Sequence, residues 1–424
     1  MNTTFSYRQS HSSKPDPAPL APRHLGTAAG AGRRACLLAV ACLGLGLAHA
    51  QTTSNPGTLD ERLDLLERQL RDLAAENQAL RQELGVTNVH VKPTGPVQEL
   101  KIGGIIQAQA EFGDQGDARW ASDYDRFYVR RARIKAVGRF LEDFDFKVEL
   151  DLAGALGEST GLRAQLTDGW VNWNRYDFAR IKAGQFFPVF GYEKRQDPAS
   201  LQSIEFSLAG DRLLPERQLG AQWWGDTLDK RIGWALGLFN GMNANNNFNV
   251  NVNFMVVPHL EGVPWKGQIL GQDSRWTVGL SGLYTDDDRF PLPPDLVPPG
   301  QTNVFAGQRY ALGLDTPLRA GPFVLWAEYL AAHYDPNQFD SYDTQGWYVL
   351  VGYDLTKKLQ ALVKYETFDP DTDISGNSTD TWTFGLSYAF KGNNLKVYLN
   401  YLLMDVPDEP ELQHKILTRL QASF

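Results

Sequence analysis

Three basic residues alternate with small apolar residues in the stretch RARIKA, which begins at Arg131. Successive side chains of a β-strand point to opposite faces, so Arg131, Arg133 and Lys135 share one face of a strand here. A stack of cations attracts anions, and an arginine fork binds phosphate through two parallel hydrogen bonds. The spacing therefore predicts an anion-attracting face that lies in water, with the apolar face turned away from it.

Two other segments carry basic residues in the same pattern. Arg180 and Lys182 alternate with alanine and isoleucine, and Lys147 shares one face of its segment with Glu149 and Asp151. These two carboxylates offer an alternative reading, in which they neutralise the neighbouring cations in ion pairs. Alternation alone does not choose between the two readings.

The clearest strands in the chain lie within residues 381–404. Aromatic or aliphatic side chains occupy every second position from Trp382 to Phe390 and again from Leu395 to Leu403, with a polar four-residue turn between. This alternation predicts a β-hairpin with one strongly apolar face. Each arm is longer than the ~5–6 residues of a typical soluble strand and close to the ~9–11 residues that a tilted strand needs to cross a bilayer.

Strands of this kind recur from residue 101 to the terminal Phe424, joined by short turns and by long polar or proline-rich segments such as 286–308. The pattern predicts an all-β fold, a transmembrane antiparallel β-barrel of about 16 strands that occupies residues 101–424. A soluble β-sandwich is the alternative, but its strands would be shorter and its exposed face more charged. An amphipathic last strand that ends on phenylalanine is common in outer-membrane barrels.

The first 50 residues have the features of a secretory signal peptide. An Arg-Arg pair precedes the apolar run 35–47, and an A-x-A cleavage site ends at Ala50. Both cysteines lie in this segment, so the mature chain is expected to begin at Gln51 and to contain no cysteine. Together with the barrel pattern, the signal predicts the bacterial outer membrane as the location, with its lipid as a partner.

A heptad pattern follows the signal peptide. Leucines spaced by alternating fours and threes run through residues 59–84, with Asn77 at one core position. The pattern predicts a short N-terminal coiled-coil helix, which requires a partner helix and hence an oligomer. Residues 51–58 and 85–100 are interpreted as linkers on either side. An amphipathic helix packed on its own domain is the alternative.

Composition and motifs argue against an enzyme. The whole chain has a formal charge of −9 and only seven histidines, and it contains no G-x-S-x-G or H-E-x-x-H motif. No catalytic residue, metal ligand, cofactor or nucleic-acid partner is expected.

Several segments occur in a fixed order along the chain: FYVRRARIKAVG (127–138), FKVELDLAG (146–154), TDGWVNW (167–173), IKAGQFFPVFGYE (181–193) and PERQLGAQWWG (215–225). This order resembles the phosphate-selective porins of the O/P type. The resemblance implies a homotrimeric barrel of about 16 strands, a loop folded inward after the GQF segment, and small inorganic anions such as phosphate as solutes. It also implies that Arg131 and Arg133 face the pore.

The same resemblance implies a constriction between Glu193 and Arg217. The basic residues of that stretch are Lys194, Arg195, Arg212 and Arg217. Phe187 stands where the family has a lysine after G-x-F. The resemblance therefore supports selectivity for anions more strongly than a preference for phosphate.

The sequence thus predicts an outer-membrane porin, a water-filled channel for passive, anion-selective diffusion of phosphate or related phosphorylated anions. Two alternatives remain open at this point. One is a general or cation-leaning diffusion porin, in which acidic lumen residues dominate. The other is a structural barrel that tethers the envelope through its coiled coil.

Overall fold

The computed structural model describes residues 96–117, 119–120, 125–153, 164–227, 229–246, 249 and 252–424. The predicted signal peptide (1–50), the linker 51–58 and the predicted coiled-coil helix (59–84) lie outside the described residues. The first strand begins at Val97, within the segment interpreted as the linker 85–100.

Seventeen strand segments form one sheet. In chain order they are β1 (Val97–Gly113), β2 (Arg126–Phe140), β3 (Phe144–Asp151), β4 (Gln165–Tyr176), β5 (Ala179–Phe186), β6 (Gln218–Thr227), β7 (Ile232–Phe239), β8 (Met255–Ile269), β9 (Gln272–Pro291), β10 (Val304–Asp315), β11 (Leu318–Ala320), β12 (Phe323–Pro336), β13 (Tyr342–Asp354), β14 (Leu359–Asp369), β15 (Thr379–Ala389), β16 (Leu395–Asp405) and β17 (Gln413–Ser423).

The sheet closes into a barrel because β1 pairs with both β2 and β17, and every pairing is antiparallel. Strand β10 and the short segment β11 that follows it both pair with β9 and β12. They are therefore two parts of one wall strand. The wall therefore has 16 strands. Closure leaves no unpaired edge, which is what a β-structure in lipid requires. The prediction of an antiparallel barrel of this size is confirmed.

The connections differ between the two ends of the barrel. At one end, here called the turn rim, strands are joined by turns as short as 177–178 and 270–271. At the other end, here called the loop rim, the connections include 187–217 and 240–254. Short turns at one rim and long loops at the other are typical of bacterial outer-membrane barrels.

Side chains alternate between the two faces of the wall as the sequence predicts. On β15, Trp382 and Leu386 are exposed on the outer face, whereas Thr381 and Thr383 are buried on the inner face. On β2, Ile134 is 50% exposed on the outside, where lipid would cover it. Among the residues that the structure describes, no helix is long and apolar enough to cross a bilayer.

The pairing of β1 with β2 contains a bulge at Arg130. Gln107 lies opposite Arg131 and Ala108 lies opposite Val129, so Arg130 has no partner on β1. A bulge re-aims the side chain of its extra residue. The Arg130 guanidinium consequently reaches the interior, beside that of Arg131.

The connection 187–217, called the inward loop below, folds into the barrel. It contains the 3-10 turns Glu193–Arg195 and Pro198–Ser200 and the single-turn helix α1 (Leu208–Leu213). Helix α1 lies against β12, β13 and β14. Residues of the helix, the loop and the wall form an apolar core inside the barrel, which includes Phe186, Phe190, Leu208, Leu213, Phe239, Met255, Leu283, Phe305, Leu330 and Phe368. This side of the interior is thus filled by protein, and open space remains elsewhere.

Candidate functional site

Carboxylates of the wall hold the inward loop by its backbone. Glu328 on β12 accepts hydrogen bonds from the backbone N–H of Tyr192 at 2.5 Å and of Glu193 at 2.9 Å. Glu366 on β14 accepts one from the backbone N–H of Leu208 at 2.9 Å. The loop is therefore fixed firmly to this part of the wall.

Side chains from the opposite part of the wall hold the middle of the loop. Gln107 on β1 donates to the carbonyl of Pro198 at 3.2 Å, and Tyr398 on β16 donates to the carbonyl of Leu201 at 3.2 Å. Because the loop contacts β1 and β16 as well as β12 and β14, it crosses the interior and divides it.

Glu193 stabilises the turn before helix α1. Its Oε2 atom accepts hydrogen bonds from both the backbone N–H and the hydroxyl of Ser207, at 2.8 and 2.9 Å. Burial raises the pKa of Glu193, and the charge of Lys364 only partly opposes this. This buried carboxyl joins the two ends of the loop segment 193–207, which immediately precedes the helix.

One cavity, of about 390 Å³, lies between the inward loop and strands β2 to β4. It is called the loop-side cavity, because Glu216 and Arg217 next to the loop rim line it. Its basic lining residues are Arg130, Arg131, Arg133, Lys147, Lys194, Arg195 and Arg217. Its acidic lining residues are Glu149, Asp168, Asp197, Asp211 and Glu216. Most of the predicted basic residues are thus brought together in one place.

A second cavity, of about 360 Å³, lies on the other side of the loop. It is called the turn-side cavity, because Arg275 and Arg319, near the turn rim, line it together with Glu261. Arg195 and Gln196 line both cavities. These two side chains therefore border both spaces.

The basic residues predicted for the inner faces of β2 and β3 are called the ladder cations: Arg131, Arg133, Lys135 and Lys147. They face the interior, but carboxylates accompany them. Arg133 lies 2.8 Å from Asp151 and 3.4 Å from Glu149. Lys147 lies 3.1 Å from Glu149 and 2.5 Å from Asp168. The ion-pair alternative raised by the sequence therefore describes this part of the wall.

Lys135 and Arg131 also have partners. The Lys135 ammonium lies 3.3 Å from Asp197 of the inward loop. Burial acts to raise the pKa of Asp197, but the hydrogen bond from the Ala199 N–H and the charge of Lys135 outweigh it, so that pKa is lowered. Arg131 is only 3% exposed and donates to Gln107 at 2.8 Å.

Arg180 and Lys182 lie inside the barrel but outside both cavities. Arg180 pairs with Asp177 and with Asp226, which belong to the turn rim. The Lys182 ammonium lies over the rings of Trp170 and Trp224, 4.7 and 5.5 Å from their centroids. The structure therefore separates these two cations from the main group.

Two constriction candidates are held by partners within the loop-side cavity. Lys194 lies 2.5 Å from Glu216. Arg217 lies 2.9 Å from Asp168, and its guanidinium carbon lies 4.0 Å from the centroid of the Phe187 ring. Both cations are thus fixed in position and compensated in charge.

The other two candidates differ sharply from each other. Arg212 pairs with Asp211 and with Asp295, 2.7 Å away, and lines neither cavity. Arg195 donates to the carbonyl of Gly191, and within the described part of the chain no carboxylate lies within 4 Å of it. Among the four constriction candidates, Arg195 is therefore the one whose charge acts on solutes in both cavities.

Sequence reasoning missed several charged residues of the interior. Strict alternation places Arg130 on the lipid face, because it does not show the bulge. An arginine on that face would itself have indicated a bulge. Arg419 follows the inward register of β17 and could have been found by alternation. Arg275 of β9 could have been found in the same way, because Trp276 and Val278 lie on the outer face of that strand. Glu205 of the inward loop carried no local pattern that marks it.

A closed barrel of 16 antiparallel strands, with an inward-folded loop between charged cavities, defines a porin-type channel of the bacterial outer membrane. The sequence matches the family model described as "Phosphate-selective porin O and P" over residues 100–262 and 296–424. The chain belongs to this family.

Solved structures support the same fold. The anion-selective porin from Comamonas acidovorans has a TM-score of 0.55 and 11% identity, covering 77% of this chain and 99% of that one. OmpT of Vibrio cholerae in its trimer form has a TM-score of 0.54 and 12% identity, covering 77% and 99%. The channel DcaP of Acinetobacter baumannii has a TM-score of 0.52 and 12% identity, covering 77% and 97%. No curated protein matches the sequence.

Proposed function

We propose that the chain forms a water-filled channel for passive, anion-selective diffusion across the outer membrane. The observation that carries the proposal is Arg195, which lines both cavities and has no carboxylate within 4 Å among the described residues. A cation that lines the path of a solute through a pore lowers the energy of a passing anion and raises that of a passing cation. Arg275 adds a second cation to the turn-side cavity.

Phosphate and related phosphorylated anions are the solutes in this proposal. The description of the family as phosphate-selective supports them, and the Comamonas acidovorans porin, described as anion-selective, supports anions as the class of solute. The clustered arginines of the loop-side cavity offer the forked donors that phosphate oxygens accept from.

A general, weakly selective porin is the second candidate. The observation that favours it is the pairing of the ladder cations with Asp151, Glu149, Asp168 and Asp197. If the charges within these pairs cancel, a passing ion meets little net charge. The interior then has only a small preference for anions or for cations. An envelope-tethering barrel without conductance is the third candidate.

The assembly in this proposal is a homotrimer embedded in outer-membrane lipid. The heptads of residues 59–84 require partner helices, and the Vibrio cholerae structure is described as a trimer form. A signal peptide that ends at Ala50 delivers the chain to the envelope in this proposal.

Single-channel recording in planar bilayers tests the proposal. In a KCl gradient, the reversal potential of the wild-type channel is expected to show anion preference, and added phosphate is expected to block the chloride current. Arg195→Gln should lower the ratio of anion to cation permeability about fivefold, since one unit charge near 4 Å in water acts with ~1 kcal/mol. Arg139→Gln, which removes a cation from the turn rim outside both cavities, is the matched control. A cation-selective or non-conducting wild type would overturn the proposal.

A further inference from the structure

Three arginines of the wall surround one carboxylate of the inward loop. Arg130 lies 2.9 Å from Glu205 through its Nε atom, and Arg419 on β17 lies 2.5 Å from it through Nη2. Arg131 adds a third guanidinium, with Nη2 at 3.9 Å from Oε2. Glu205 therefore ties the loop to strands β2 and β17.

The site has more positive charge than its carboxylate can balance. Among the described residues, Glu205 is the only carboxylate within 4 Å of Arg130, Arg131 or Arg419. Arg131 and Arg419 are 3% and 2% exposed, and a buried charge without a counter-charge is costly. The Nε atom of Arg131 is also buried without a hydrogen-bond acceptor. The site is therefore short of negative charge, and one of its guanidinium N–H groups has no acceptor.

The cations hold Glu205 in its ionised form. Burial acts to raise the pKa of this carboxyl, but the charges of Arg130, Arg419 and Arg131 outweigh it and lower the pKa below its ordinary value. Glu205 therefore occupies the site as an anion.

Solutes in the loop-side cavity reach one edge of the site, because Arg130 and Arg131 line that cavity. A divalent tetrahedral oxyanion would supply one more negative charge than a carboxylate and more acceptor oxygens for the guanidinium groups. We propose that Glu205 is a displaceable counter-ion, and that a divalent tetrahedral oxyanion takes its place and thereby releases this part of the inward loop from the wall. This inference rests on the proposed function, since it describes how solute regulates the same pore.

Competition between Glu205 and solute makes a clear prediction for affinity. A carboxylate on the same chain acts at a high effective concentration and weakens the binding of any solute that needs the same arginines. Removing its charge should strengthen binding, while the loss of an arginine should abolish the gain.

Isothermal titration calorimetry with inorganic phosphate, on the purified full chain in detergent at fixed ionic strength, tests this. Glu205→Gln is expected to bind phosphate about tenfold more tightly than wild type, and the double variant Glu205→Gln/Arg419→Gln should lose the gain. Asp145→Asn is the matched control, because it removes an ion-paired carboxylate of the turn rim that lines neither cavity and should behave as wild type. Unchanged affinity in an assembled Glu205→Gln protein overturns the inference.

Hydrogen exchange on the wild type gives a second measurement that needs no variant. Phosphate and sulfate should increase exchange of the amides of residues 202–206, relative to chloride at the same ionic strength. Unchanged exchange with both oxyanions overturns the inference even if the variant does not fold. Neither measurement depends on ion selectivity, so a channel without anion preference that shows both effects defeats the proposed function and leaves this inference standing.

Discussion

The Nε atom of Arg133 lies 2.8 Å from Oδ2 of Asp151 across the β2–β3 pair, inside the barrel wall. The middle cation of the predicted anion-attracting face is thus joined to an acid of the neighbouring strand. Its removal should do more than subtract one positive charge, because it also exposes the negative charge that it balanced.

Arg133→Gln is therefore expected to shift selectivity toward cations. Asp151 and Glu149 would lose their shared partner, and we expect the anion-to-cation permeability ratio to fall about fivefold, from ~1 kcal/mol of uncompensated charge. Reversal potentials in a KCl gradient measure the ratio. The double variant Arg133→Gln/Asp151→Asn is the control and should return toward the wild-type value; if it does not, the pair does not act as a unit.

Ile134→Arg should impair assembly, whereas changing Arg131, Arg133 and Lys135 together to glutamine should not. Ile134 is exposed on the outer face, where an arginine near the bilayer midplane costs roughly 2–4 kcal/mol. The water-filled interior tolerates uncharged polar side chains. Gel mobility with and without heating reports the folded fraction. Assembly of Ile134→Arg with misfolding of the glutamine variant would mean that the two faces are reversed.

Glu328→Ala should loosen the inward loop. The variant leaves the backbone N–H groups of Tyr192 and Glu193 and the hydroxyl of Tyr348 without their acceptor, and each buried donor left unsatisfied costs about 1–3 kcal/mol. We expect noisier open-channel current and lower stability in urea unfolding from lipid vesicles. Glu261→Ala, a carboxylate that contacts no loop backbone among the described residues, is the control. Equal behaviour of the two variants contradicts the anchoring role.

The contact of Glu205 with its three arginines should persist in mild acid. Because its folded-state pKa is lowered, the stability it contributes is fully present above the unfolded pKa of about 4.3 and is lost as the pH falls below that toward the folded pKa. Hydrogen exchange of residues 202–206 should therefore show no Glu205-dependent transition between about pH 5 and 8, when wild type is compared with Glu205→Gln. A transition near neutral pH would show that another group controls the loop.

Deletion of residues 59–84 should weaken the trimer, because the heptads of that segment need partner helices. Native mass spectrometry of the wild type should show a trimer, and the deletion variant should dissociate at lower detergent concentration. A wild-type monomer contradicts the prediction. A deletion variant as stable as wild type would assign the trimer contacts to the barrel walls.

The sequence by itself determined the wall. Strand side chains repeat every second residue, so the alternation around Trp382 and along β17 was enough to assign the lipid and interior faces, and the lengths of the connections indicated the two rims. The same rule placed Arg133 and Lys135 inside. These are local properties of a pleated chain, and no knowledge of distant residues is needed to read them.

Tertiary structure alone decided what the interior charges do. Glu205 meets Arg419 across more than two hundred residues of chain, and Asp197 meets Lys135 only because the inward loop crosses the barrel. The bulge at Arg130 depends on the register between two strands, which alternation within one strand does not fix. Whether a cation attracts solute or is cancelled by a partner depends on distances of a few ångströms between such remote positions, and folding of the loop sets those distances.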